Sequence, residues 1–350
     1  MRYLPLSKAD RREMLASIGV SSIDELFTDI PRSVIDAFRP LGLAPKSEQE
    51  VVAAVTDLAQ RNRAPEGVCF AGGGVYAHYV PSAVAHIVAR SEFYTAYTPY
   101  QPEISQGTLT AMFEFQTLVC ELTGMGVANA SMYDGATALA EAVLMARRVT
   151  RRGRVAVAQS LFANIRRVLD TYCWGGGIEV IELPYLPSGR CDLSAVPPDL
   201  AAVVLQSPNA FGVIETLDGI KDRIGDALLI VSAHPLSLGV LAPPGSCGAD
   251  IVVGEGQSLG LPMGFGGPLL GLFATKTDYL RQMPGRVSGR SVDAEGNAAY
   301  TMAAQTREQH IRRERATSNI CTNSALCALA ATAYLATIGA DGLRRVAQAN

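Results

Sequence analysis

The sequence predicts an α/β fold built on a mainly parallel sheet. From residue 154 onward, short buried-looking apolar runs alternate with segments of helical period, the pattern of a parallel sheet covered on both faces. The chain has 350 residues, 48% of them apolar, with 33 Gly and 19 Pro, which suits one large or two medium α/β domains. A net charge of −3 gives no electrostatic reason to expect nucleic acid or an anionic membrane as a partner.

Seven scattered cysteines (69, 120, 173, 191, 247, 321 and 327) form no Cys-x-x-Cys pair and are odd in number. They read as reduced thiols in a cytoplasmic protein rather than a disulfide framework or a metal site. The N-terminal residues lack the apolar core of a signal peptide.

Residues 1–45 read as short helices, the first opened by Ser7 with Asp10 and the second ended by Pro31. Ser47 with Glu50 opens a longer helix carrying Val51, Val55 and Leu58 on one face. Such helices suit either a partner subunit or their own domain. Cys69-Phe-Ala-Gly-Gly-Gly-Val-Tyr-Ala-His-Tyr-Val-Pro81 matches neither standard phosphate-loop pattern and reads as a tight turn placing Tyr76, His78 and Tyr79. As a metal ligand His78 lacks companions, since its nearest histidine is His86.

Residues 94–107 hold four tyrosines and two prolines in an extended loop, and Ser105 is expected to cap the following helix, 105–123. A proline-stiffened surface loop and a functional loop are equally good readings of it. Leu109, Met112, Phe113, Phe115, Leu118 and Leu122 are core positions of the helix. Ser131 to Thr137 then lead into another helix. A small-residue turn at a helix start suits a phosphate, but Asp134 within it would repel an anion, so ordinary N-capping by Asp134 is the weightier reading.

Strands are expected at Val155–Ala158, Glu179–Leu183, Ala201–Gln206, Ala227–Ser232, Asp250–Val253 and Leu269–Ala274, with helices at Phe162–Tyr172 and Asp218–Ile224. Ligands of such sheets sit beyond the C-terminal strand ends. That selects Gln206 to Asn209, Ser232 to His234, and Glu255 to Ser258. Gly256-Gln-Ser-Leu-Gly260 matches a hydrolase nucleophile elbow, but an elbow leads into a helix, whereas Pro262 and several glycines follow here. Residues 309–323 read as a basic helix end with Arg312, Arg313 and Arg315, and Ser324–Ala340 as a buried helix.

Three strings together resemble the glycine decarboxylase (P-protein) family: Tyr97-Thr-Pro-Tyr-Gln-Pro-Glu-Ile-Ser-Gln-Gly107, the glycine-rich loop 254–268, and Gln309-His-Ile-Arg-Arg-Glu-Arg-Ala-Thr-Ser-Asn-Ile-Cys-Thr-Asn323. The resemblance covers essentially the whole chain. It implies a fold-type-I pyridoxal-phosphate (PLP) transferase-like large domain with a seven-stranded sheet over 66–322, an N-terminal helical segment over 1–65, and the start of a truncated small domain over 323–350. Where catalytic members carry His-Lys, this chain has Gln257-Ser258, and where they carry the acid facing the pyridine nitrogen it has Ser232, Ala233 and His234. A Schiff base needs a primary amine.

The resemblance therefore implies a non-catalytic subunit 1 (α), with no catalytic residue of its own, joined to a PLP-bearing subunit 2 (β) in an α2β2 assembly. That assembly decarboxylates glycine and passes the aminomethyl group to the lipoyl H-protein. Tyr97, Tyr100, Gln101, Glu103, Ser105, Gln106, Arg313, Thr317, Ser318 and Asn319 become expected pocket or interface residues. Ser131, Asp134, Gly135, Thr137, Ser232, His234, Gln257 and Ser258 become a degenerate cofactor site. An independently active PLP enzyme using another lysine (Lys8, Lys46, Lys221 or Lys276), and a non-enzymatic binding or regulatory protein, are the alternatives.

Overall fold

A computed structural model describes residues 5–62, 70, 72–194, 196–264, 266–321 and 323–350. Cys69 and the domain boundary expected at 65–66 lie outside the described residues. The chain divides into two compact units, 1–69 and 70–350.

The first unit is helical: α1 (Lys8–Ile18), a 3-10 turn (Asp24–Phe27), α2 (Arg32–Ala37) and α3 (Glu48–Gln60). Both expected capping boxes form. Asp10 accepts from the Ser7 N–H, and Glu50 from the Ser47 N–H, satisfying donors that a helix start leaves free. Pro31 does not end a helix as expected. It is the N-cap of α2, where its fixed φ suits the entry to a helix and its missing N–H costs nothing. The apolar face of α3 is present but not buried: Val51, Val55 and Leu58 are each about half exposed.

The second unit opens with α4 (Ser82–Val88), α5 (Ser91–Tyr94) and the long α6 (Gln106–Thr123). β1 (Val127–Ala128) and α7 (Gly135–Thr150) follow, and then the alternation of β2 (Arg154–Ala158), α8 (Ala163–Gly176), β3 (Glu179–Leu183), β4 (Ala202–Ser207), α9 (Ile220–Ile224), β5 (Leu228–Ala233) and β6 (Ile251–Glu255). β7 (Gly271–Thr275) returns antiparallel. The seven strands form one sheet in the order β1-β7-β6-β5-β4-β2-β3, parallel from β6 to β3. β2, β4, β5 and β6 are buried almost throughout and apolar but for residues at their ends, because helices cover both faces of the sheet.

A second, two-stranded sheet, not expected from the sequence, pairs β8 (Val287–Val292) with β9 (Ala298–Ala303). It rests on α6 through two glutamines. Gln106 accepts from the Tyr300 N–H and donates to the Tyr300 carbonyl, both at 2.8 Å, and Gln116 does the same to Ser288 at 2.8 and 3.0 Å. Each side-chain amide thus satisfies a donor and an acceptor that an unpaired strand edge would leave open.

After the short α10 (Gln309–Arg312) the chain ends in α11 (Ala325–Ala349), which breaks at Gly339, a residue with φ 60°. By length and composition α11 could cross a membrane, but half of its apolar window is buried inside this unit, against α4 and α6. That is the buried helix the sequence predicts, continued for nine further residues.

Candidate functional site

The C-terminal ends of β4, β5 and β6 bring together the three sets of residues the sequence selects, and α7 starts beside them. Asp134 is the N-cap of α7. Its Oδ1 accepts from the Thr137 N–H at 2.7 Å and lies 3.1 Å from the Thr137 hydroxyl, so the capping reading holds.

Glu255, one of the strand-end residues the sequence selects, closes β6. Its Oε2 accepts from the Gly135 N–H at 2.8 Å, and its Oε1 from the N–H groups of Gln257 and Leu270 at 2.9 and 3.0 Å. Gly135 permits this approach, because a Cβ there would lie 2.8 Å from the Glu255 nitrogen. Burial pushes the Glu255 carboxyl up to about 7 against the pull of its three N–H donors, with Asp134 adding to the rise. The free N–H groups of this helix start are therefore taken by the protein's own carboxylates. Ser131 does not face them: it is fully buried at φ 123°, and its hydroxyl accepts from the Ser324 N–H at the head of α11.

Gln257 and Ser258 are buried completely. Gln257 is pinned to the segment before α4: its Oε1 accepts from the Tyr76 N–H at 2.9 Å, and its Nε2 donates to the carbonyls of Tyr76 and Leu261 at 3.1 and 2.7 Å. The Ser258 hydroxyl is buried without a hydrogen-bond partner, and residues 257–260 form a turn rather than a helix, which removes the nucleophile-elbow reading. His78 is satisfied structurally, its Nε2 accepting from the Gly260 N–H at 3.3 Å and its Nδ1 facing the Tyr76 carbonyl at 3.2 Å.

Ser232 is buried on β5, and the His234 ring meets Tyr76 edge-on at 5.4 Å. Burial, and then His78, lower the His234 imidazole to about 4, so it is neutral at physiological pH. Its folded value lies below the ordinary 6.5, so the stability it contributes is complete above pH 6.5 and is lost as pH falls towards 4. His234→Gln is expected to flatten the acid limb of a melting-temperature profile over that window. An unchanged limb would refute the assignment.

Two of the remaining strings converge elsewhere. Arg286, 1% exposed, donates from Nη2 to the Tyr100 hydroxyl at 2.7 Å and from Nε to the Cys321 carbonyl, and its guanidinium lies 4.8 Å from the Tyr100 ring centre. Its Nη1 lies 3.4 Å from Oε2 of the buried Glu308, which His310 also approaches at 3.5 Å. The Tyr100 loop and the 309–323 string thus meet on one buried cation. Cys321 is half-buried there.

Around this cluster Tyr97, Gln101, Glu103, Arg313 and Asn319 are exposed, and Ser105, Gln106, Thr317 and Ser318 are half-buried. Ser105 occupies the N-cap of α6 but makes no capping bond, contrary to expectation; its ψ of 18° departs from the extended geometry a capping hydroxyl needs. Gln106 serves the β9 edge. Arg313 has φ 52° between α10 and the turn that follows.

The glycine cleavage system P-protein family model matches residues 1–350. The chain belongs to that family.

It is 54% identical over 349 residues to the probable glycine dehydrogenase (decarboxylating) subunit 1 of Thermotoga maritima, and 52% identical over 356 residues to that of Desulforamulus reducens. Each match covers 99% of this chain and 79% of the relative. A crystal structure of glycine decarboxylase (P-protein), in inhibitor-bound form, superposes with TM-score 0.88 at 48% identity, over 99% of this chain and 79% of that one. A sphingosine-1-phosphate lyase from Burkholderia pseudomallei shares the fold at TM-score 0.61 and 14% identity, over 89% of this chain and 73% of its own. The fold is thus the fold-type-I PLP-enzyme fold, and the chain is a subunit type of a glycine-decarboxylating enzyme.

The residues gathered at the strand ends do not fit a covalently held PLP. No lysine lies among residues 206–209, 232–234 and 255–258, the buried His234 is neutral, and Asp134 and Glu255 take N–H groups at the start of α7 that could otherwise meet a phosphate.

Proposed function

We propose that this chain is the non-catalytic subunit of a two-subunit glycine decarboxylase, and that PLP is carried by the partner subunit. The placement of the lysines is the observation that carries this reading. Lys221 and Lys276, the two lysines of the second unit, both clamp Asp250: Lys221 Nζ donates to its Oδ2 at 2.8 Å and Lys276 Nζ to its Oδ1. Asp250 precedes β6, so both amines sit at the end of the sheet opposite Glu255–Ser258, about 16 Å away along a five-residue strand. This weakens the alternative of an independently active enzyme using another lysine.

In this reading the assembled α2β2 enzyme, in the cytoplasm, decarboxylates glycine and passes the aminomethyl group to the lipoyl H-protein. This chain contributes surface: the exposed Tyr97, Gln101, Glu103, Arg313 and Asn319, with Tyr100, Ser105, Gln106, Thr317 and Ser318 behind them, and the apolar face of α3. The degenerate site at Ser131–Thr137, Ser232, His234 and Gln257-Ser258 holds packing rather than cofactor. Residues 1–65 act as a helical arm, 66–322 as the large domain and 323–350 as the lead into a smaller one.

Borohydride trapping with PLP tests the reading, on the chain alone and co-purified with its partner. Label on the partner only, with glycine-dependent bicarbonate exchange in the mixture only, is the expected result. Label on this chain would overturn it and name the reactive lysine.

A further inference from the structure

A cavity of about 650 Å³, apart from the strand-end site, opens beside the turn after β7. Its ionisable lining is four arginines, Arg281, Arg307, Arg312 and Arg315, and Thr306 and Thr317 add hydroxyls. We infer that this cavity is a binding site for a small, multiply charged oxyanion, a phosphate ester or a polycarboxylate.

The size lies within the range of small-molecule sites, about 300–1,000 Å³. Arginine suits the chemistry, because its planar fork donates two parallel N–H bonds to a phosphate or carboxylate. Among the described residues, no carboxylate lines the cavity. Arg307 is buried, its hydrogen bonds go to the carbonyls of Met283, Gly285 and Ala304, and the carboxylate that offsets its charge, Glu308, is shared with Arg286. Arg312 likewise donates to the Thr306 carbonyl. Arg315 has only Glu314, at 3.7 Å in open solvent, where such pairs are weak.

A second guanidinium lies behind the wall. Arg148, on α7, donates to the Gln282 carbonyl at 3.0 Å and keeps a buried Nε with no hydrogen-bond partner. Arg307 disfavours the charge on Arg148, and the one carboxyl that offsets Arg148, Glu141, is itself pushed up to about 7 by burial. Two neighbouring like charges, one buried and one half-buried, each with a single shared or weakened carboxyl to offset it, are costly unless an anion completes the site. An oxyanion seated between Arg281, Arg307 and Arg312 would supply it.

Isothermal titration of the chain co-purified with its partner subunit tests this, with inorganic pyrophosphate and citrate as probes at constant ionic strength. Saturable binding of either, weakened tenfold or more by Arg281→Ala and by Arg312→Ala, is expected. Whichever probe binds more tightly separates phosphate from carboxylate ligands. Arg154→Ala, at a half-buried arginine beside Glu179 and away from the cavity lining, serves as the control and should bind as the parent does. Because Arg281 is exposed, its variant should keep the parent's melting temperature, so lost binding cannot be misread as misfolding. No saturable binding, or binding indifferent to both substitutions, overturns the inference. So does binding by the isolated chain that vanishes in the assembly, since the cavity would then be a protein interface.

Discussion

Arg286→Ala is expected to cost about 3–5 kcal/mol, the range for breaking a buried ion pair from one side. Arg286 is the largest of the fully buried side chains, and it is the one cation shared by the Tyr100 loop, Cys321 and Glu308. Truncation strands the Glu308 carboxylate, which is already short of partners: its Oε1 is buried with none. It also frees the Tyr100 hydroxyl and the Cys321 carbonyl. The melting temperature should fall by on the order of 10 °C. Proteolysis should then reach the loop before α6 sooner than in the parent. The double variant Arg286→Met/Glu308→Gln should recover part of the loss, because the stranded charge is gone. A single variant that melts with the parent, or a double variant worse than the sum of its parts, would show that the ion pair does not organise this region.

Much of this fold is legible in the sequence because its elements obey one rule each. β2, β4, β5 and β6 are each largely apolar on both faces, and the Ser7/Asp10 and Ser47/Glu50 capping boxes mark their helices locally. Position alone identifies Asp134 as a cap. The β8–β9 hairpin escapes the same reading because Val-Ser-Gly-Arg-Ser-Val is neither apolar nor cleanly alternating. Its signal lies in the turn, where Asp293 accepts from the N–H groups of Glu295 and Asn297 ahead of Gly296. Arg286 escapes for a different reason. In Pro-Gly-Arg it looks like a surface loop residue, and arginine is rarely fully buried, so only the distant Glu308 and Tyr100 explain it. Glu255 depends likewise on a glycine 120 residues away. Charges that satisfy long-range backbone donors leave no local period to read.

Glu255 carries the second large effect. Glu255→Ala removes the acceptor of three backbone N–H groups, on Gly135, Gln257 and Leu270, and leaves them where burial already disfavours charge. A buried donor without a partner costs about 1–3 kcal/mol, so the loss should reach several kcal/mol even with some water entering. Glu255→Gln separates charge from hydrogen bonding. It keeps an acceptor for Gln257 and Leu270 but turns an NH2 towards the Gly135 N–H. The pH dependence follows from the sign of the shift. The carboxyl titrates near 7 when folded and near 4.5 when unfolded, so between those values the folded state holds the extra proton, and stability falls as pH rises through the window. The Gln variant should lose that slope, leaving the similar contribution of Glu141. Melting profiles of parent and variant from pH 4.5 to 7.5 decide it: parallel curves would mean that Glu255 does not titrate there. If the slopes part as expected, the carboxyl at the start of α7 is an internal group that changes charge while it holds three backbone donors.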